Sequence, residues 1–81
     1  MEPITLRCFG VARDIAAAPT ISLHLRPRPK VAEVRAKLLE DYPAFGELVS
    51  FAIARNEEYA KDDDVVETGD TLAIIPPVSG G

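Results

Sequence analysis

The chain has 81 residues, enough for one small domain that buries only about 60–65% of the surface its unfolded form exposes. Hydrophobic content of 47% and charged content of 27% fit an ordinary globular fold, and a thin core leaves little room for an enclosed active site. A net charge of −4 argues against nucleic acid as a bulk electrostatic partner, and the single cysteine excludes an internal disulfide.

The start, Met1-Glu2-Pro3, lacks the basic and apolar regions of a signal peptide. The longest apolar runs, such as Ile15-Ala16-Ala17-Ala18, fall far short of the ~20 residues that span a bilayer. A reducing cytoplasm is the expected setting. Charge is unevenly spread: residues 1–37 carry seven basic side chains against three acids, and residues 56–81 carry seven acids against Lys61. Most of these residues read as solvated surface, with an acidic face that steers a basic partner as the sharper alternative.

Ile4-Thr5-Leu6-Arg7-Cys8 alternates apolar and polar, the period of a half-buried strand, with Ile4, Leu6 and Cys8 inward. Val11–Ala18 is short and alanine-rich, and Pro19 interrupts it. Thr20–Arg26 alternates again, with Ile21, Leu23 and Leu25 inward, close enough to pair antiparallel with the first strand. Pro27-Arg28-Pro29 stops it. From Lys30 to Tyr42 the period becomes helical, because Val31, Val34, Leu38 and Tyr42 share one face with Leu39 beside them. Pro43 ends that helix, and Lys30 marks its start poorly, since Ser, Thr or Asp caps better. Phe51–Arg55 reads as a third strand. Asn56-Glu57 reads as a tight turn that leads into a short return over Glu58-Tyr59-Ala60. After a loop at Asp62–Asp64 and a turn at Glu67–Asp70, Thr71–Ile75 forms the last strand, whose apolar density predicts a central place in the sheet. One main helix on a mixed sheet of four to five strands is an α+β architecture. Its expected core comprises Ile4, Leu6, Ile21, Leu23, Val34, Leu38, Leu72 and Ile74.

A search for catalytic residues returns little. His24, the one histidine, falls on the outward face of the second strand with no nucleophile implied nearby. Cys8 alternates with Ile4 and Leu6 and reads as a small core hydrophobe. Asp62-Asp63-Asp64 lacks the glycine and distal glutamate of a calcium loop and reads as a solvated turn. Phe9 and Ile75 are left over from the core by alternation and predict an exposed apolar patch.

The ending, Ile75-Pro76-Pro77-Val78-Ser79-Gly80-Gly81, is different in kind. Two successive prolines are stiff and project the last four residues away from the sheet. Pro76 to Gly81 reach roughly 20 Å when extended at ~3.3 Å each, and Gly80 and Gly81 lack the Cβ that would block a narrow channel. The chain divides into a domain at 1–75 and an extended tail at 76–81.

This ending, preceded by Gly69-Asp70-Thr71-Leu72, resembles that of the molybdopterin synthase small subunits. Phe9 followed by Ala12-Arg13-Asp14, and Asn56 after a strand, sit where that family places similar residues. The resemblance runs over nearly the whole chain, and the tail is its specific part. It implies a ubiquitin-like β-grasp fold and a sulfur carrier of molybdenum cofactor biosynthesis. A ubiquitin-activating-like adenylyltransferase would use ATP to adenylate the Gly81 carboxylate, and sulfur would replace the adenylate to give a thiocarboxylate. The tail would then enter the large synthase subunit, in a heterotetramer, and donate sulfur to a cyclic pyranopterin. The resemblance further implies that the chain binds no cofactor and that catalytic side chains belong to the partners. Gly81 would carry the chemistry and Gly80 would give access. Phe9, Arg13, Ile75, Pro76, Pro77, Val78 and Ser79 would meet the partner. Arg55, where the family tends to have an apolar residue, and Lys30, where it has threonine, depart from the pattern. Other functions open to such a tail are conjugation to lysines as a ubiquitin-like modifier, and sulfur supply for thiamin or transfer RNA thiolation. A plain interaction domain of the same fold would be indifferent to losing Gly80 and Gly81.

Overall fold

The computed structural model describes residues 2–48 and 51–76. Strand β1 (Glu2–Cys8) is followed by a short helix α1 (Val11–Ala16), β2 (Thr20–Leu25), the main helix α2 (Val31–Asp41) and a 3₁₀ turn (Pro43–Glu47). The chain then forms β3 (Ala52–Arg55), β4 (Glu58–Tyr59) and β5 (Leu72–Ile75). The five strands lie side by side in the order β2-β1-β5-β3-β4. β1 pairs antiparallel with β2 and parallel with β5, and β3 pairs antiparallel with both β5 and β4. The sheet is therefore mixed and β5 is its middle strand, as its apolar density predicts.

Strand alternation sorts the side chains as expected. Leu6, Cys8, Ile21, Leu23, Leu72 and Ile74 are buried on one face, and Val31, Val34 and Leu38 of α2 close over them. His24 is exposed. Ile4 is the one member of the expected core that stays half-buried. Sequence periodicity misses several core residues. Phe45, fully buried, comes from the 3₁₀ turn that Pro43 forces, too short to display a period. Its ring meets Tyr42 edge-on at 6.3 Å and Phe51 at 5.9 Å. Val66 enters from a loop, and Ala12 from α1, a second helix beside the single main one expected. Alanine favours the helix there, and burial of Ala12 against the sheet holds a segment that is too short to persist alone.

The start of α2 has a physical solution that local sequence does not display. Lysine has no acceptor with which to cap a helix. Instead the first free amides, of Val31 and Ala32, donate to the carbonyls of Asp64 and Asp62 at 2.9 and 3.1 Å, and the Glu33 carboxylate accepts from the Lys30 amide. The acidic loop thus seals the helix N-terminus, where its negative charge also suits the helix dipole.

Arg55 settles the register of β3. It pairs with Leu72 and shares the core-facing parity of Ile53, which is why an apolar residue would suit the position. At the end of the sheet its guanidinium donates to the Val65 carbonyl at 2.6 Å and lies 3.5 Å from Asp70. Asn56 and Glu57 both take positive φ, 52° and 71°, and close β3 onto β4 in a two-residue turn. Asn56 also donates to Asp70 at 2.9 Å and accepts from the Thr71 amide at 3.0 Å, while Asp70 accepts from the Glu67 amide at 2.7 Å.

This packing can be tested at two positions. Leu38→Ala removes a fully buried side chain between α2 and the sheet and should cost about 2–5 kcal/mol, read as a lowered denaturation midpoint. Asp70 is held below its ordinary pKa of 3.8 by the Asn56 and Glu67 hydrogen bonds and then by the Arg55 charge. A depressed carboxylate contributes stability that is complete above its unfolded pKa and is lost as pH falls through the folded one. Asp70→Asn should therefore lower the melting temperature at neutral pH, and the gap from the parent should close below about pH 4. An unchanged gap would refute the assignment.

Candidate functional site

The face of the sheet away from α2 is built by the opposite parity. Arg7 and Phe9 alternate with Leu6 and Cys8 on the β1 side, and Ala73 and Ile75 alternate with Leu72 and Ile74 on β5. β3 contributes Ala54, paired directly with Ala73, and β4 contributes Tyr59, paired with Ala54. Small residues thus occupy the two middle strands and larger ones the sides. The result is an open depression of about 320 Å³ lined by Arg7, Phe9, Ala54, Glu57, Tyr59, Thr71, Ala73 and Ile75. Phe9 is 42% exposed and Tyr59 75%, large for aromatic rings on a domain of this size. The Arg7 guanidinium stands over the Phe9 ring, 5.2 Å from its centroid.

The geometry brings Phe9 and Ile75 to one depression, with Pro76 immediately beyond, but only Phe9 is exposed as alternation predicts, and Ile75 is half-buried. Gly10 faces Pro76: a Cβ on Gly10 would stand 3.6 Å from the proline ring. Gly10 has φ 54° and ψ −130°, a conformation that residues with a Cβ rarely adopt. That turn swings the chain from Phe9 on the open face into α1, whose Ala12 joins the core. Arg13 is exposed on α1 and does not line the depression. Pro77, Val78, Ser79, Gly80 and Gly81 lie outside the described residues. Arg7 and Ala73 were legible in the alternation but carried no signal of their own, and Tyr59 sits on a two-residue strand that has no period to read.

The depression holds no titratable pair suited to acid–base chemistry. Cys8 lies under the sheet, and burial raises its thiol pKa, so it is a poor nucleophile. Among the described residues, no group of three metal-ligating side chains converges, and no helix is long and apolar enough to cross a membrane.

A five-stranded mixed sheet with its main helix packed across one face is the ubiquitin-like β-grasp fold. The crystal structure of small archaeal modifier protein 1 from Haloferax volcanii superposes with a TM-score of 0.82 over 96% of this chain and 100% of that one, at 21% identity. The chain belongs to the ThiS family, whose model matches residues 6–81. It is 34% identical to the molybdopterin synthase sulfur carrier subunit of Arabidopsis thaliana over 79 residues, 96% of this chain and 82% of that protein. It is 40% identical to the subunit of the same name from Pyrenophora tritici-repentis over 77 residues, 82% and 83% of the two chains.

Gly10→Ala tests the turn that joins the open face to α1. The space beside Pro76 accommodates a methyl group, so the cost is that of backbone strain, about 1–3 kcal/mol, read in a thermal or denaturant melt.

Proposed function

We propose that this protein is a sulfur carrier in molybdopterin synthesis, bearing its sulfur as a thiocarboxylate on Gly81. The observation that carries the reading is the exit of β5. The middle strand ends at Ile75 on the rim of the apolar depression, and Pro76 comes next, beside Phe9 and Gly10. A partner seated on the open face therefore receives the chain just where the tail begins. The family match extends through Gly80 and Gly81, and relatives that align over most of the chain are named as sulfur carrier subunits. Among the described residues, no side-chain hydrogen bond joins Glu57, Tyr59 or Thr71 of the depression into a nucleophile–base pair, which suits a chain whose reactive group is on Gly81.

The chemistry stems from the inertness of a carboxylate. A carboxylate oxygen of Gly81 attacks the α-phosphorus of ATP on an adenylyltransferase, and pyrophosphate leaves. The acyl adenylate now has a good leaving group, and a sulfur nucleophile displaces AMP to give the thiocarboxylate. ATP is thus consumed by the activating enzyme, and the carrier binds no cofactor of its own. The tail at 76–81 delivers the sulfur to a pyranopterin precursor inside the large synthase subunit, in a cytoplasmic heterotetramer. Gly80 gives the backbone access to a channel too narrow for a side chain. Phe9 and Ile75 anchor the body of the carrier, Arg13 adds a contact from α1, and Pro76, Pro77, Val78 and Ser79 line the route.

Deletion of Gly81 tests the reading. The variant should melt as the parent does, because the core residues among those described all precede the tail. It should nevertheless abolish conversion of the precursor in a reconstituted synthase, since the reacting carbonyl then stops ~3.5 Å short. One residue added after Gly81 should be equally damaging. A folded deletion that supports conversion at the parent rate would end the carrier hypothesis. Intact mass of protein purified from its own host separates the alternatives: a thiocarboxylate exchanges one oxygen for sulfur, whereas a modifier conjugated through Gly81 gains the mass of a whole protein.

A further inference from the structure

The open-face depression has more definition than an apolar patch needs. Its floor is the directly paired Ala54 and Ala73, and its walls are Arg7 and Phe9 on one side, Tyr59 and Glu57 on the other, and Ile75 at the tail end. At about 320 Å³ it holds on the order of ten water volumes, at ~30 Å³ each, against a largely apolar lining. Releasing that water rewards a side chain that fills the hollow, not a flat surface laid across it.

The charges at the two walls are equally specific. Arg26, Arg28, Arg35 and Arg55 each lie within ion-pairing distance of a carboxylate. Among the described residues Arg7 has no such partner. It rests against the Phe9 ring, which restrains a flexible side chain while leaving its in-plane N–H groups free for a carboxylate. Glu57 on the opposite wall repels a carboxylate and so sets the direction in which an acidic segment can lie.

We propose that the depression is a socket for one bulky apolar side chain of the protein partner, and that Arg7 pairs with a carboxylate neighbouring that side chain. The inference rests on the reading of the open face as the docking face for the large synthase subunit, and it names the chemistry of the docking segment. Charge complementarity selects this occupant: among the described residues, the one cation of the depression is unpaired with any carboxylate and is pre-oriented by Phe9. Phe9 thus has two roles, as an apolar wall and as the platform that aims Arg7.

The probe is the large molybdopterin synthase subunit encoded in the same genome, titrated against the full chain by calorimetry at several salt concentrations. Ala73→Leu fills the socket from its floor and should weaken binding at least tenfold. Arg7→Glu should do the same, and Arg7→Gln should weaken binding less while flattening its salt dependence. Ala36→Glu, exposed on α2 on the far side of the sheet, should bind as the parent does. Thermal melts establish that each variant is folded, and if Ala73→Leu is not, Thr71→Leu fills the same hollow from its margin. Folded socket-filling variants with parental affinity overturn the socket, and Arg7→Gln with parental affinity and salt dependence overturns the carboxylate. If Phe9→Ala abolishes binding while these variants bind normally, the docking face stands and the socket falls. A parent chain that fails to bind the large subunit overturns both readings.

Discussion

β1 and β5 are the first and last strands of the fold, and they lie against each other at its centre. Their parallel pairing joins two hairpins, β1–β2 and β3–β4 with β5, that would otherwise be small two- and three-stranded pieces without a shared core. A parallel pair needs a crossover, and α2 supplies it, covering the face that the pairing creates. The register Leu6↔Leu72, Arg7↔Ala73, Cys8↔Ile74 then decides both faces at once. Leu6, Leu72, Cys8 and Ile74 go under the helix, and Arg7 and Ala73 go to the open side. A slip of β5 by one residue would turn its side chains over, exposing Leu72 and Ile74 and placing Ala73 and Ile75 under the helix.

The same register makes the open-face depression. Phe9 lies just past the end of β1 and Ile75 just past the last residue of β5 that pairs with β1, so two residues 66 apart in the chain reach one rim. Small side chains at Ala54 and Ala73 cost the sheet packing area on a surface where water could be excluded by larger ones. A hollow in that position is better suited to receiving a partner than to stabilising the monomer.

Much of this was legible from residues alone. Alternation in Ile4–Cys8, Thr20–Arg26 and Thr71–Ile75, and the helical spacing of Val31, Val34 and Leu38, specify the layers, and Asn56 announces its turn. What escaped had no period or lay far away in sequence. Phe45 sits in a turn of five residues, and Val66 in a loop. The cap of α2 comes from carbonyls far downstream, whose own side chains, a run of three aspartates, suggest only solvent. Arg55 looked like a misfit, because the carbonyl and carboxylate that accept its hydrogens are supplied by a segment with no regular structure. The Gly-Gly ending was plain to see, yet the hollow beside its point of departure depends on which alanines face each other across β3 and β5.

Central placement of β5 also bears on when the protein becomes competent. Synthesis runs from the amino end, so the strand that completes the sheet is the last of the five to be made. Until it arrives, β1 has an open edge, and Leu72 and Ile74 are missing from the core. The sheet therefore closes only once β5 has been made, and cannot be assembled strand by strand in chain order. A chain stopped before β5 would lack Ala73 and Ile75 and would leave β1 and β3 without the strand that joins them. β5 is thereby the keystone of the fold: only a molecule translated through its fifth strand possesses the open-face depression.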